Sequence, residues 1–485
     1  MPSVAPVIVW FREDLRLADN PAVAAAAASG APVICLYIRE TGAKGARAPG
    51  GAALWWLDKS LKSLARSLEA IGNRLILRTG DPQTVLTEVI SETGANAVVW
   101  NRRYGEPGRT SDTALKAALK EAGIDVSSFN GRLLMEPWEL KTGSGGYYRV
   151  FTPFWRAMQA AYVPNPATGA PGRLRDVDAS SEDIADWRMH PTAPDWSHGM
   201  GEFWTPGEAG ARKRLKDFLD GPVNDYAEDR NRPDLDSSSS RLSPHLRYGE
   251  IGPAQIWRAV KAGIDAGRIQ ERPAMVFLSE IAWREFSHVL LHFNPELASK
   301  NYNPNFDQMP WRTDAAALRK WQQGMTGYPV VDAGMRQLWH TGWMHNRVRM
   351  IVASFLTKHL LLPWQVGEEW FWNTLVDADP AANAASWQWT AGSGADAAPY
   401  FRVFNPITQG SKFDETGAYV RRWVPEISNV ADKYLHAPFE APAEVLRRAG
   451  VVLGMTYPKP IVDHAAARQR ALDAYKQTRQ EKGAE

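Results

Sequence analysis

The sequence predicts an α/β domain built on a doubly wound parallel sheet, followed by a large all-α domain. Three observations carry this expectation. At 485 residues the chain is too long for one ordinary core, so two domains are expected. Over residues 1–130 short β-branched apolar runs alternate with helical periods. Beyond residue 200 the pattern is helical almost throughout.

The runs "VIVWF" (7–11), "VICLYI" (33–38), "RLILR" (74–78) and "AVVWN" (97–101) read as buried strands, being apolar without interruption. The segment "PAVAAAAAS" supplies the first intervening helix. The second carries Leu54, Leu57, Leu61, Leu64, Leu68 and Ile71 at intervals of three and four, which is an amphipathic stripe. "PQTVLTEVISETG" supplies the third. Such alternation predicts parallel strands with crossover helices. No GxGxxG or Walker loop follows any strand, so the usual dinucleotide and nucleoside-triphosphate fingerprints are absent. Residues 131–200, rich in Gly, Pro, Ser and Asp, predict a long connector in which "GSGG" (143–146) is a turn. Residues 201–485 then form the helical domain, with "AQIWRAVKAGI", "AMVFLSEIAWREFSHVLL" and "RVRMIVASFLTKHLL" among its helices. No tandem repeat is visible.

Composition narrows the function classes. Hydrophobic content of 44% and charged content of 23% are those of a soluble globular protein. The apolar runs fall short of a membrane span, and the N-terminus shows no secretory pattern, so a cytoplasmic location is expected. The single cysteine, Cys35, excludes an intramolecular disulfide and a cysteine cage for zinc or iron–sulfur; no metal site is predicted. A net charge of +2 announces no polyanion partner, so any nucleic-acid contact must come from a local basic surface. The anomaly is 21 tryptophans, fifteen of them beyond residue 180.

Four stretches of the helical half carry chemistry. In "SSSSRLSPHLRYGE" (237–250), Ser243 before Pro244 reads as a hydroxyl N-cap followed by a proline. Ser239, Ser240 and Arg241 just ahead of it make an anion site with the exposed N–H groups of that helix end, or else a serine-rich loop that merely caps it. In "FLSEIAWREF" (277–286), Phe277, Glu280 and Arg284 recur at three and four beside Trp283. The plain reading is a Glu280–Arg284 pair over a core aromatic; the sharper one is a polar group and an aromatic platform facing a planar ligand. In "TGWMHNRVRM" (341–350), Asn346, Arg349 and Met350 lie on adjacent turns with Arg347 pointing elsewhere. A buried Arg349 needs a carboxylate, and Asp377 or Asp379 can supply it. Those two acids open the fourth stretch, "DADPAANAASWQW" (377–389).

Together with "WFREDLRLADNP" (10–21), "TGYPVVDAGMRQL", "APYFRVFNPITQGSKFD" and "YPKPIVDHAAAR", these segments resemble the photolyase/cryptochrome family nearly end to end and in order. The branch most similar is that of microbial enzymes repairing cyclobutane pyrimidine dimers; "WNRRY" and "SGGYYRVFTPFWRA" are similar to class III bacterial members, with class I the alternative. The resemblance implies FAD, reduced and anionic when active, folded into a U inside the helical domain. It implies phosphates at Ser239, Ser240, Arg241, Leu242 and Ser243, with Tyr226, Phe277 and Arg284 at the cofactor. Arg349 is implied to pair with Asp377 beside the flavin, Asp379 to accept from its pyrimidine edge, and Asn383 to face N5, where plant cryptochromes carry Asp. Trp387, Trp364 and Trp311 match the family's electron-hopping triad. For the flipped-out lesion in damaged DNA the resemblance implies Glu280, Trp283, Asn346, Arg347, Met350 and Trp389, with Gln409 positioning phosphate.

Departures from family patterns sharpen this. Members that repair (6-4) photoproducts carry two histidines where this chain has Asn346 and Met350. The cysteine count excludes the iron–sulfur branch. The family stacks a light-harvesting antenna against the α/β domain, commonly 5,10-methenyltetrahydrofolate. The Asn–Glu pair of well-known folate binders is replaced here by Pro107 and Gly108, so folate is the expectation, with a deazaflavin or an empty site as alternatives. A monomer is expected. The rival readings are a blue-light receptor that keeps FAD and the triad without repair, and a dark flavoprotein oxidoreductase.

Overall fold

The computed structural model describes residues 4–41, 47–397 and 401–480, so the first three residues of the segment 398–414 lie outside the described residues. Its N-terminal part is a five-stranded parallel sheet of β1 (Val7–Phe11), β2 (Val33–Glu40), β3 (Leu75–Gly80), β4 (Ala97–Asn101) and β5 (Asp125–Phe129), in the order β3-β2-β1-β4-β5. Register follows the apolar pattern: Val9 lies opposite Cys35 on one side and Val99 on the other. Successive residues of β1 enter different cores. Val7, Val9 and Phe11 pack on one face of the sheet, Ile8 and Trp10 on the other. Burial on both faces is why this strand has no polar alternation.

Helices α1 (Pro21–Ala28), α2 (Gly51–Glu69), α3 (Pro82–Thr93) and α4 (Glu106–Glu121) connect the strands. Asn20 caps α1 by accepting from the N–H groups of Ala22 and Val23. The leucine stripe of α2 is buried at Leu61, Leu64 and Leu68. Two elements escaped the sequence reading. The edge strand β5 ("DVSSF") buries only Val126 of its five residues, and α4 buries only Leu115 and Leu119. Edge elements covered on one side need few apolar residues, so their pattern is faint.

The stretch expected to be a connector contains α5 (Phe151–Ala161). Its Phe151, Phe154 and Met158 join the helical core formed with Phe277, Ile281 and Phe286. Further on, the connector runs back along the sheet, where Val33 N–H donates to the carbonyl of Arg175 and Glu182 N–H to that of Leu77, both at 2.9 Å. Beyond residue 200 the described residues are helical, with one isolated bridge between Leu453 and Tyr457. The central Glu271–Phe293 helix packs against α5 and the Ala382–Ala391 helix.

Buried polar contacts join the two halves. Glu13 pairs with Arg132 and, at 2.6 Å, with Arg247. Trp56 Nε1 donates to Glu250 at 2.9 Å, and Arg16 donates to the carbonyls of Gly249 and Gly131 at 2.9 and 2.8 Å. Gly249 sits at φ 64°, and a Cβ there would lie 2.2 Å from the Glu13 carbonyl oxygen. Any side chain would force the halves apart.

Candidate active site

A cavity of about 510 Å³ opens in the helical domain. All twelve residues expected at the cofactor line it: Tyr226, Ser239, Ser240, Arg241, Leu242, Ser243, Phe277, Arg284, Arg349, Asp377, Asp379 and Asn383. So do Glu280, Trp283, Asn346, Arg347, Met350, Trp387 and Trp389. Gln409 does not; it sits half-buried on the Pro406–Phe413 helix, outside the lining.

Arg349 meets Asp377 through two parallel bonds of 3.1 and 2.8 Å, which resolves its choice of carboxylate. The same Asp377 accepts from Ser243 Oγ at 2.6 Å. This corrects the N-cap expectation: Ser243 is the first residue of the Ser243–Arg247 helix, its preceding residue Leu242 makes no side-chain cap, and the hydroxyl is drawn to the carboxylate instead. Arg241 adopts φ 51°, turning the chain so that residues 239–243 face the cavity. Its guanidinium is already paired with Asp236 at 2.7 Å. The hydroxyls of Ser239 and Ser240 on the cavity wall are thus left to meet an anion there.

Asp379 Oδ1 accepts from the N–H groups of Ala381 and Ala382 at 2.9 Å, opening the Ala382–Ala391 helix. Its Oδ2 is buried and makes no hydrogen bond among the described residues, with His288 Nε2 at 3.5 Å and Arg132 Nη2 at 3.9 Å as its nearest cationic neighbours. Burial alone would raise this carboxyl, but His288 and the guanidinium groups of Arg284 and Arg247 outweigh it and hold it well below the usual range. Burial also pushes the His288 imidazole down to about 4, against the pull of Asp379. Asp379 therefore stands as an ionised acceptor aimed at the cavity. Arg284 Nη2 is likewise buried and unbonded among the described residues.

The Glu280–Arg284 pair allowed by spacing does not form. Glu280 pairs with Arg230 at 2.7 Å, whereas Arg284 donates to the Arg132 carbonyl at 2.9 Å. Burial raises the Glu280 carboxyl and Arg230 opposes the rise. Trp283 stacks on Phe151, ring centroids 3.8 Å apart, which turns one indole face to a core ring. Arg347 donates to Asn231 Oδ1 at 2.7 Å and lies over the Phe413 ring.

Trp387 is buried between Phe371 and Trp321, at 5.0 and 6.2 Å, and its indole N–H has no partner among the described residues. Gly367 explains how it fits: a Cβ there would lie 2.2 Å from the Trp387 ring. Gly367 belongs to the Trp364–Thr374 helix, so the notch brings the helix headed by Trp364 against Trp387. Trp364 is fully buried, donating to Asn301 Oδ1 at 2.8 Å. Trp311 is half-buried in a satellite core with Phe306 and Phe401.

Sequence reading missed Arg230, Glu368 and Arg47. Glu368 is the partner of Asn383 on the next helix, 15 residues along, and Arg47 the partner of Glu368 from a segment 321 residues away. Such pairs have no spacing signal.

A second cavity, of about 890 Å³, lies between α4, the ends of β4 and β5, and Trp138 and His292. Arg103, Arg109, Lys116 and Lys120 line it. The switch point of the sheet, between β1 and β4, is the usual ligand crevice of such folds. Here an ion-pair cluster stands beside it, with Arg103 and Asp112 also lining the second cavity: Arg12 with Asp112 at 2.7 Å, and Arg103 with Asp112 and Glu40 at 2.9 and 2.6 Å.

Comparison with known proteins agrees with this geometry. The family model for DNA photolyase matches residues 7–171, and the FAD binding domain of DNA photolyase matches residues 277–477. A deoxyribodipyrimidine photo-lyase of Agrobacterium fabrum is 55% identical, covering 98% of each chain. The chain belongs to the photolyase/cryptochrome family.

The same photolyase/cryptochrome architecture appears in the crystal structure of a bacterial class III photolyase from Agrobacterium tumefaciens, with a TM-score of 0.96, 54% identity and 99% of each chain covered. Cryptochrome-2 of Arabidopsis thaliana is 37% identical over 98% of this chain and 79% of its own. The family's FAD suits the first cavity on the structure's own terms. Ser239, Ser240 and Ser243 line it, and two buried polar atoms, Asp379 Oδ2 and Arg284 Nη2, make no hydrogen bond among the described residues.

Proposed function

We propose that this chain repairs cyclobutane pyrimidine dimers in DNA by light-driven electron transfer, with the residues of the first cavity in the following roles. Ser239, Ser240, Leu242 and Ser243 hold the phosphates of FAD. Arg349, balanced by Asp377, supplies positive charge at the ring, Asp379 accepts from its pyrimidine edge, and Asn383 stands at N5. Bound and reduced, FAD supplies a light-excited one-electron donor. Glu280 hydrogen-bonds the flipped dimer, Trp283 and Trp389 line its pocket, and Asn346, Arg347 and Met350 border it. As charge develops on the dimer bases, Glu280, released from Arg230 and protonated, the form that burial favours, donates a hydrogen bond that helps hold that charge while the ring opens. Gln409 stays assigned to backbone phosphate, since it lies outside the cavity. Damaged DNA is the partner, and the protein acts as a monomer in the cytoplasm. No helix among the described residues is long and apolar enough to cross a membrane.

The observation that carries this reading is the meeting of two residue sets in one cavity. A receptor needs the flavin set alone; here Glu280, Trp283, Asn346, Met350 and Trp389 join it. Photoreduced protein mixed with a thymine-dimer oligonucleotide is expected to restore thymine absorbance under blue light. Flavin that photoreduces without such recovery would move the protein to the receptor class.

For the antenna we propose 5,10-methenyltetrahydrofolate in the second cavity, its ring against Trp138 and its carboxylates toward Arg109, Lys116 and Lys120. Trp138→Ala is expected to strip a second near-ultraviolet absorber from purified protein while FAD stays bound. Retention of that absorber would put the antenna elsewhere.

A further inference from the structure

The Asn383 amide is held from below. Its Nδ2 donates to the Glu368 carbonyl at 3.1 Å and to Glu368 Oε1 at 2.7 Å. Glu368 in turn accepts from Arg47 Nη1 at both carboxylate oxygens, each at 2.8 Å. A carboxylate gripped by a guanidinium is ionised, and an ionised carboxylate only accepts. With such a group beneath it, the amide must turn Nδ2 down and leave Oδ1 for the cavity.

Arg47 comes from the α/β half, through a clasp on the helix that carries Glu368. Its guanidinium lies 4.4 Å from the Trp372 ring centroid. Trp372 Nε1 donates to the Ala48 carbonyl at 2.8 Å, and Gly51 N–H donates to Asn373 Oδ1 at 2.9 Å. At Gly50 the Trp372 carbonyl oxygen stands 2.2 Å from the place a Cβ would occupy. One segment thus seats the helix and neutralises its buried carboxylate.

We propose that Arg47 is a positioning residue for the flavin, locking the Asn383 amide through Glu368 so that Oδ1 faces N5. The proposal rests on the assignment of FAD to the first cavity. Reduced flavin carries a hydrogen at N5 and oxidised flavin does not, so an acceptor there favours the reduced form and a donor the oxidised form. Burial pushes the Glu368 carboxyl up, Arg47 opposes the rise, and the neighbouring Glu369 adds to it. Without Arg47, Glu368 takes up a proton as the pH falls. Protonated, it donates to Asn383 Oδ1 in competition with the Glu368 backbone carbonyl, which still accepts from Nδ2, and part of the amide population turns to offer Nδ2 to N5. At alkaline pH Glu368 is ionised again and the original orientation returns.

The test is the midpoint potential of bound flavin against pH, in the full-length protein and in Arg47→Met, Arg47→Lys and Glu368→Gln. Methionine keeps an aliphatic stem over Trp372. Arg47→Met is expected to shift the reduced-to-oxidised ratio toward oxidised by about tenfold at the acid end, about 30 mV for two electrons, and to meet the wild type at the alkaline end. Arg47→Lys restores the wild-type curve. Coincident curves for Arg47→Met and wild type, or a gap equal at every pH, would overturn the proposal, the latter because simple domain docking predicts it. If Arg47→Met retains no flavin, Glu368→Gln decides: its carboxamide donates to Oδ1, so a lowered potential at every pH is expected and an unchanged one overturns the lock. Wild-type protein that binds no FAD overturns both the cavity assignment and this proposal; wild type that binds FAD beside indifferent variants overturns this proposal alone.

Discussion

Replacing Trp387 with phenylalanine is expected to abolish photoreduction of oxidised flavin while leaving repair by chemically reduced protein intact. The site favours a clean result. Trp387 is 2% exposed and its indole N–H has no partner among the described residues, so phenylalanine strands no polar group. The lost ring edge opens space beside Gly367, at a cost below the about 3–5 kcal/mol of truncation to alanine. What disappears is the oxidisable indole that lines the cavity and packs on the helix headed by Trp364. The readout is flavin absorbance under blue light with an external donor, beside dimer repair after dithionite reduction. Repair lost under those conditions would mean that Trp387 serves the substrate. Unchanged photoreduction would mean that the electron enters by another ring.

Glu280→Ala is expected to weaken binding of a dimer-containing oligonucleotide by about 10- to 100-fold, the range of one hydrogen bond to a charged group at about 1.5–3 kcal/mol. Repair per absorbed photon should fall as well, because a protonated Glu280 donates to the dimer and that bond strengthens as negative charge develops there. Flavin content should not change, since Glu280 bonds to Arg230 rather than to a residue assigned to FAD. Arg230 complicates the affinity: freed of its partner, it is drawn to DNA phosphate and offsets part of the loss. The double variant with Arg230→Ala isolates the term, and binding to undamaged DNA gives the baseline. Unchanged affinity and yield would remove Glu280 from the substrate pocket.

Much of the candidate site was legible because its residues fall in short runs. Residues 239–243, 346–350 and 377–389 each carry several groups on one turn or one helix, and local geometry already puts them side by side. Resemblance to a known family then named their roles. Gln409 shows the limit, since a motif match does not say how far a helix stands from a cavity. Ser243 shows another: its N-cap reading was sound locally and lost to Asp377, a partner 134 residues away.

The amino-acid sequence by itself determined the two-domain α/β-then-α order, the four core strands and the helix stripes. Those features depend on periodicity and burial, which are written residue by residue. Tertiary structure alone decided which carboxylate Arg349 takes, that Glu280 pairs with Arg230 rather than Arg284, and that Arg47 reaches Glu368 beneath Asn383. Ion pairs and hydrogen bonds act over a few ångströms in space and leave no period in the chain. Only folding chooses among several chemically equivalent partners, by bringing one within reach.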